Sequence, residues 1–182
     1  MIGRVDAWLL LTKFVKNKNL RRHCLACEAA MEDLAPGFDG DPQRWGLAGL
    51  LHDLDVEMTS DNPERHALVA AEMLEPEGFD AEFIRAVKGH CGQAERQAPM
   101  DHALYAVDPL TGLIVASALL HPTRRLSGVD SQFVLKRFKD KRFAAGADRE
   151  QIAACAKIGF ELEPFIDSVL GSMQRISDDL GL

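Results

Sequence analysis

Apolar residues return every three or four positions along almost the whole chain, and no two stretches read as a convincing strand pair. The period is that of amphipathic helices, and the punctuation agrees with it. Asp41-Pro42 and Asn62-Pro63 each place a capping side chain ahead of a proline suited to a first helical turn. Asp148 with Gln151 has the spacing of a capping box. Helices are therefore predicted near 3–17, 19–35, 42–54, 63–76, 80–91, 101–120, 130–138, 148–159 and 162–180. The connections are short and rich in Gly, Pro and Asp, without a linker, repeat or low-complexity tract. With 182 residues the chain is long enough to bury one real core, so the expectation is an all-α, compact single domain spanning 1–182. Segment 148–182 has the pattern of an amphipathic cover.

A few polar residues stand inside the apolar pattern, and these carry the candidate chemistry. Segment 45–54, WGLAGLLHDL, is apolar nearly all round and ends in His52-Asp53. A carboxylate buried there is costly unless it is paired or coordinates a metal. For the pair alone a second reading stands beside this one: a histidine complementing a helix C-terminus, with the acid in solvent. Other histidines tilt the balance. His23 is in register with Leu20, Cys27, Met31 and Leu34; His66 leads the stripe Val69, Ala70, Met73 and Leu74; His90 follows Phe83 and Val87 at helical spacing. Each would need its own buried partner, whereas one or two metal ions satisfy all of them at once. Segment 101–120 adds Asp108, followed by Pro109, where the helix is expected to kink or restart. Asp108 reads as a ligand, or alternatively as the cap of the restarted helix.

Composition narrows the partners. The 21 Lys+Arg against 28 Asp+Glu give a formal charge of −7, which disfavours general nucleic-acid binding. The longest apolar run, Leu110 to Leu120, falls short of the ~20 residues of a membrane span, and the first residues lack a secretory pattern. A cytoplasmic protein is expected, engaging neither membrane nor nucleic acid polymer. Cys24 and Cys27 form a C-x-x-C without a second pair and read as core packing rather than as a zinc or disulfide element. Arg124, Arg125, Lys136, Arg137, Lys139, Lys141 and Arg142 gather within 124–142, interleaved with Phe133, Val134, Phe138 and Phe143. They form either a solvated basic face or a phosphate grip, for which Arg137, Lys139 and Lys141 are the candidates.

The order His23, His52-Asp53, Asp108 resembles the H…HD…D signature of the HD-domain superfamily of metal-dependent phosphohydrolases. With His66 and His90 between, it resembles the variant that holds two metals. GLLHDLDVE, HALVAAEML, IRAVKGH, LYAVDPLTGLIVASALL and KRFKDKRFAAGADREQI together are similar to a bacterial subfamily of predicted HD-superfamily hydrolases. The resemblance implies a metal-binding core over about 20–120, with a helical cover over 121–182. It implies a first divalent ion held by His23, His52, Asp53 and Asp108, and a second by His66 and His90, with Asp53 bridging. The donor set suits Fe, Mn, Zn, Co or Ni. Many two-metal members carry a lysine shortly after the pair; here Asp55 and Glu57 follow, and Cys91 stands where phosphodiesterase relatives often have a second histidine. Both departures point away from cyclic-dinucleotide cleavage. The reading is hydrolysis of a small phosphorylated metabolite or nucleotide by metal-activated water, with Asp53 organising the cluster and Asp55 or Glu57 orienting water or accepting a proton. For Asp55 a solvated helix-end charge is the equal alternative. A two-iron oxygenase on the same fold and a metal-stabilised binding module without turnover are the competing functions.

Overall fold

A computed structural model describes all residues, 1–182, and every regular element in it is helical. The helices are α1 (Arg4–Phe14), α2 (Lys18–Leu34), α3 (Pro42–Leu51), α4 (Leu68–Leu74), α5 (Ala81–Gly89), α6 (Pro99–Leu120), α7 (Ser131–Lys139), α8 (Arg149–Ala153), α9 (Leu162–Arg175) and α10 (Ser177–Leu180), with short 3-10 turns between some of them. The starts follow side-chain chemistry. Asn17, Asp41, Asp80, Asp130 and Asp148 each accept a backbone N–H from the first turn they precede.

The all-α expectation holds, but the helices predicted over 3–17 and 42–54 end at Phe14 and Leu51, and three others change for local reasons. The one expected over 63–76 begins only at Leu68, because Ala67 takes a left-handed conformation (φ 63°) and Asn62 makes no cap bond. The one expected over 148–159 tightens into a 3-10 turn after Ala153, and Gln151 donates to the His90 carbonyl instead of closing a capping box. The last breaks at Ile176, giving α9 and α10. Of the kink or restart expected at Pro109, the restart does not occur: α6 runs through it for 22 residues.

Helix α6 is the axis of the fold. By length and composition it could cross a membrane, yet α2, α3, α5, α7, α8 and α9 all pack around it and bury most of its residues. The most extensive pairing is α2 on α3, the two helices that carry His23 and lead to His52. Gly49 permits it: a Cβ there would stand 2.5 Å from the Cys27 carbonyl oxygen and 2.7 Å from the Glu28 nitrogen. Backbone meets backbone at that point, so only glycine fits.

Candidate metal centre

Two of the imidazoles are aimed by the ends of their own helices. His52 and His90 are the C-caps of α3 and α5, where the last carbonyls have no intrahelical donor. Each ring turns back, and its Nδ1 bonds the carbonyl three residues earlier, Gly49 at 2.8 Å for His52 and Val87 for His90. His66 gives Nδ1 to Asp55 Oδ1 at 2.9 Å. His23 places Nδ1 3.0 Å from the Thr111 hydroxyl, which donates to the Asp108 carbonyl at 2.9 Å. With Nδ1 engaged, all four rings present Nε2 to a common centre, the arrangement by which outer partners fix the tautomer of a ligating histidine.

Those Nε2 atoms converge with two carboxylates. His23 Nε2 is 3.2 Å from His52 Nε2 and 3.1 Å from Asp108 Oδ1; His66 Nε2 is 3.1 Å from His90 Nε2. Asp53 lies between the two groups, with Oδ1 3.5 Å from His52, 3.3 Å from His66 and 3.5 Å from His90, and Oδ2 3.7 Å from His23. Donors sharing one ion at about 2.1 Å stand roughly 3.0–3.5 Å apart in octahedral or tetrahedral arrangements, so these separations fit a coordinated cation. Four nitrogens and two carboxylates also match divalent transition ions chemically. Cys91 has its sulfur within 4.8 Å of the His66 and His90 ligand atoms, and Cys27 packs beside His23, Sγ 3.9 Å from its ring nitrogens.

Charge follows from this crowding. Burial opposes the anion of Asp53, yet His52, His66, His90 and His23 together hold its carboxyl well below the usual carboxylate range. Hydrogen bonding to Asp53, then Asp55, pushes His66 up to about 10. Without metal, the His66 imidazolium therefore stabilises the fold fully below its ordinary value of 6.5 and loses that contribution as pH rises through about 10. A metal must displace the same proton. Affinity for the ion at His66 and His90 is expected to rise about tenfold per pH unit between 6.5 and 9, and the metal-induced gain in Tm to grow over that window. Melting curves with metal and with chelator check this; a gain that shrinks with pH would refute it.

Asp55 has a different place from the one expected. It is buried, and both oxygens are committed: Oδ1 to His66 Nδ1, and Oδ2 to the Ala70 N–H at 2.9 Å. Because Ala67 offers no side-chain cap, Asp55 caps α4 from outside while steering His66. It is thus neither a solvated helix-end charge nor free to act on water. Asp55→Asn is expected to weaken the ion at His66 and His90 by about 10–100-fold while the other ion is retained. Chelator competition reads the effect, and unchanged affinity would show that the charge does not matter to His66. Glu57 is also engaged elsewhere, accepting from the backbone N–H groups of Lys16 (2.6 Å) and Asn17 (2.8 Å).

The basic cluster is split. Arg137 lies over the Phe133 ring at 5.1 Å, and Lys139 is exposed on the last turn of α7. Lys141 lines a cavity with Ala145, Gly146 and Ala147, and the last two also line a second cavity, of 370 Å³, with His23, Asp108, Pro109, Gly112 and Ala144. That second cavity opens onto His23 and Asp108 of the cluster. The segment after 120 is therefore more than a cover, since it supplies one wall of the cleft. Arg149 holds this wall: its Nε donates to the Phe138 carbonyl at 3.2 Å, Nη1 to Ala144 (2.8 Å) and Ala147, and Nη2 to Asp140 (3.2 Å) and Phe143. Three contributors escaped the sequence reading: Thr111, Gln151 and Arg22, which lines a cavity together with His23. Thr111 shares a helix face with Asp108 and was in principle visible; Gln151 had no local signal.

Comparison with known proteins converges on the same region. The HD domain family matches residues 20–122, the span that holds all six converging side chains. The chain is 29% identical to ribonuclease Y of Chlorobium luteolum over 97 residues, covering 53% of this chain but only 18% of that protein. It is 26% identical to an uncharacterized protein of Methanocaldococcus jannaschii over 142 residues, covering 73% of this chain and 83% of the relative. HD domains bind divalent metals and are typically metal-dependent hydrolases, and the His/Asp cluster here could hold such a metal. The chain belongs to the HD domain family.

Proposed function

We infer that the protein is a metal-dependent phosphohydrolase acting on a small phosphorylated metabolite or nucleotide. The observation that carries this reading is Asp53, whose two oxygens face both groups of imidazoles and so join them into one site. His23, His52 and Asp108 would hold one ion, His66 and His90 another, with Asp53 shared. When bound, such ions supply an activated water at neutral pH and polarise phosphoryl oxygens. The chain's own groups do the rest. Asp55 and Thr111 fix ring orientation, the cleft beside His23 and Asp108 admits the phosphoryl group, and Lys141 and Arg22 lie in cavities adjoining it. For a monoester the balance is R–O–PO₃²⁻ + H₂O → R–OH + HPO₄²⁻: the phosphorus–oxygen ester bond breaks, and one water proton ends on the leaving oxygen.

A small substrate suits the net charge of −7 better than a polyanion. Ribonuclease Y carries RNA cleavage in its name, so an oligoribonucleotide belongs in the test. Purified protein is analysed for metal, then assayed for phosphate release from nucleotides and phosphoesters with added Mn²⁺, Co²⁺, Zn²⁺ and Fe²⁺. Ion-dependent phosphate release abolished by His66→Ala supports the reading. Cleavage of RNA alone, an oxygen-dependent iron spectrum without phosphate release, or no turnover with any ion would each overturn it.

A further inference from the structure

The metal cleft does not end at the ligands. A second cavity, of 420 Å³, shares His23 and Gly112 with it and extends away between α2 and α6 toward Leu180 and Leu182. One stripe of α6 runs under both cavities: Asp108 and Gly112 line the first, and Gly112, Val115 and Leu119 the second, at helical spacing. The stripe begins on a metal ligand and turns apolar within one turn. From Asp108 to Leu119 it spans roughly 16 Å at 1.5 Å per residue.

Two features mark this groove as built for a ligand. Gly112 sits in the interior of a long helix, where glycine is costly compared with alanine. A Cβ there would meet nothing within 4 Å, so no neighbour requires the glycine; what it leaves is width, at the junction of the two cavities. The groove also holds a cation without a partner. Arg22 is exposed, makes no hydrogen bond or ion pair, and lies across Gly181 closely enough that a Cβ at 181 would come within 2.5 Å of its Nη2. Leu119 remains largely exposed at the far end.

We propose that this groove binds the apolar organic arm of the substrate, so that the preferred substrates are amphiphilic phosphoesters whose leaving group is hydrophobic. Continuity with the metal cleft and the lone Arg22 charge commit the groove to such an anion, with its phosphoryl group at the metal ligands and its arm along Val115 and Leu119. The proposal rests on the phosphohydrolase reading and adds the substrate class to it.

Methylphosphonate and octylphosphonate, whose carbon–phosphorus bonds resist hydrolysis, separate the two. Calorimetry on the Mn²⁺-loaded 182-residue chain is expected to show octylphosphonate binding at least ~10-fold tighter, because the arm leaves water. A Cβ at 112 meets nothing within 4 Å and leucine favours the helix, so Gly112→Leu is expected to fold, to narrow the junction and to bring the two affinities together. Leu119→Glu, which puts an anion where the arm ends, should reduce the preference as well. Equal affinities in the wild type, or a preference that survives Gly112→Leu, overturns the groove while leaving the phosphohydrolase reading intact. Failure of both phosphonates to bind overturns that reading and the groove with it.

Discussion

Asp53→Asn is expected to reduce phosphate release about a thousandfold or more and to leave the purified protein short of at least one metal ion. The substitution preserves shape and removes only charge, so the effect isolates what the carboxylate does. Asp53 is the one carboxylate with an oxygen within 4 Å of a ring nitrogen in all four imidazoles, and it is buried among them. Without its charge the metal-free protein would crowd imidazoles that Asp53 now holds together, and breaking a buried pair of this kind costs about 3 kcal/mol. Metal analysis and melting curves report the two consequences separately. Retention of both ions with full activity would show that Asp53 is not the shared ligand.

Gly49→Ala is expected to lower stability by about 2 kcal/mol or more, a fall in Tm of about 5 °C or more for a chain of this size. Helix propensity alone predicts the opposite sign, since alanine is favoured over glycine inside a helix by about 1 kcal/mol. Packing decides, because the new methyl would be driven into the Cys27 carbonyl rather than into a side chain that can swing away. Helices α2 and α3 would have to separate, carrying His23 away from His52, and the Gly49 carbonyl that orients His52 would move as well. Metal content should therefore fall together with stability. Gly112→Ala is the control: its Cβ meets open space, so the same chemical change should stabilise. If both variants behave alike, the close approach at Gly49 is not what sets the spacing of the ligand helices.

Much of the fold was readable from period and caps, because amphipathic stripes and Asp or Asn side chains ahead of a first turn act locally. Asp41, Asp80, Asp130 and Asp148 cap where such residues ought to. The ligands were readable for the related reason that a polar group inside an apolar stripe needs a partner. What could not be read is what is settled between distant segments. The apolar period predicts a helix through His66, whereas the structure places it before a left-handed Ala67, held by an Asp55 carboxylate that also caps α4. Asp55 and Glu57 looked like spare acids beside the pair. Nothing in a one-dimensional pattern shows that Asp55 meets Ala70 or that Glu57 meets the backbone of Lys16 and Asn17. The two glycines of WGLAGLL were the overlooked local sign: Gly46 and Gly49 both face α2, and the spacing marks a close helix crossing.

The way Arg149 holds the wall of the cleft bears on how such a protein can diversify. Every group it grips between Phe138 and Ala147 is a main-chain carbonyl, which any amino acid provides. Side chains at the exposed positions of that segment, Lys141, Ala145 and Gly146 among them, are free of the fastening and border the cavities beside the metal ligands. Substitutions there can reshape or recharge the entrance while the loop keeps its course. A library randomised at 141, 145 and 146 should consist mostly of folded proteins with altered preferences, whereas one that includes 149 should not.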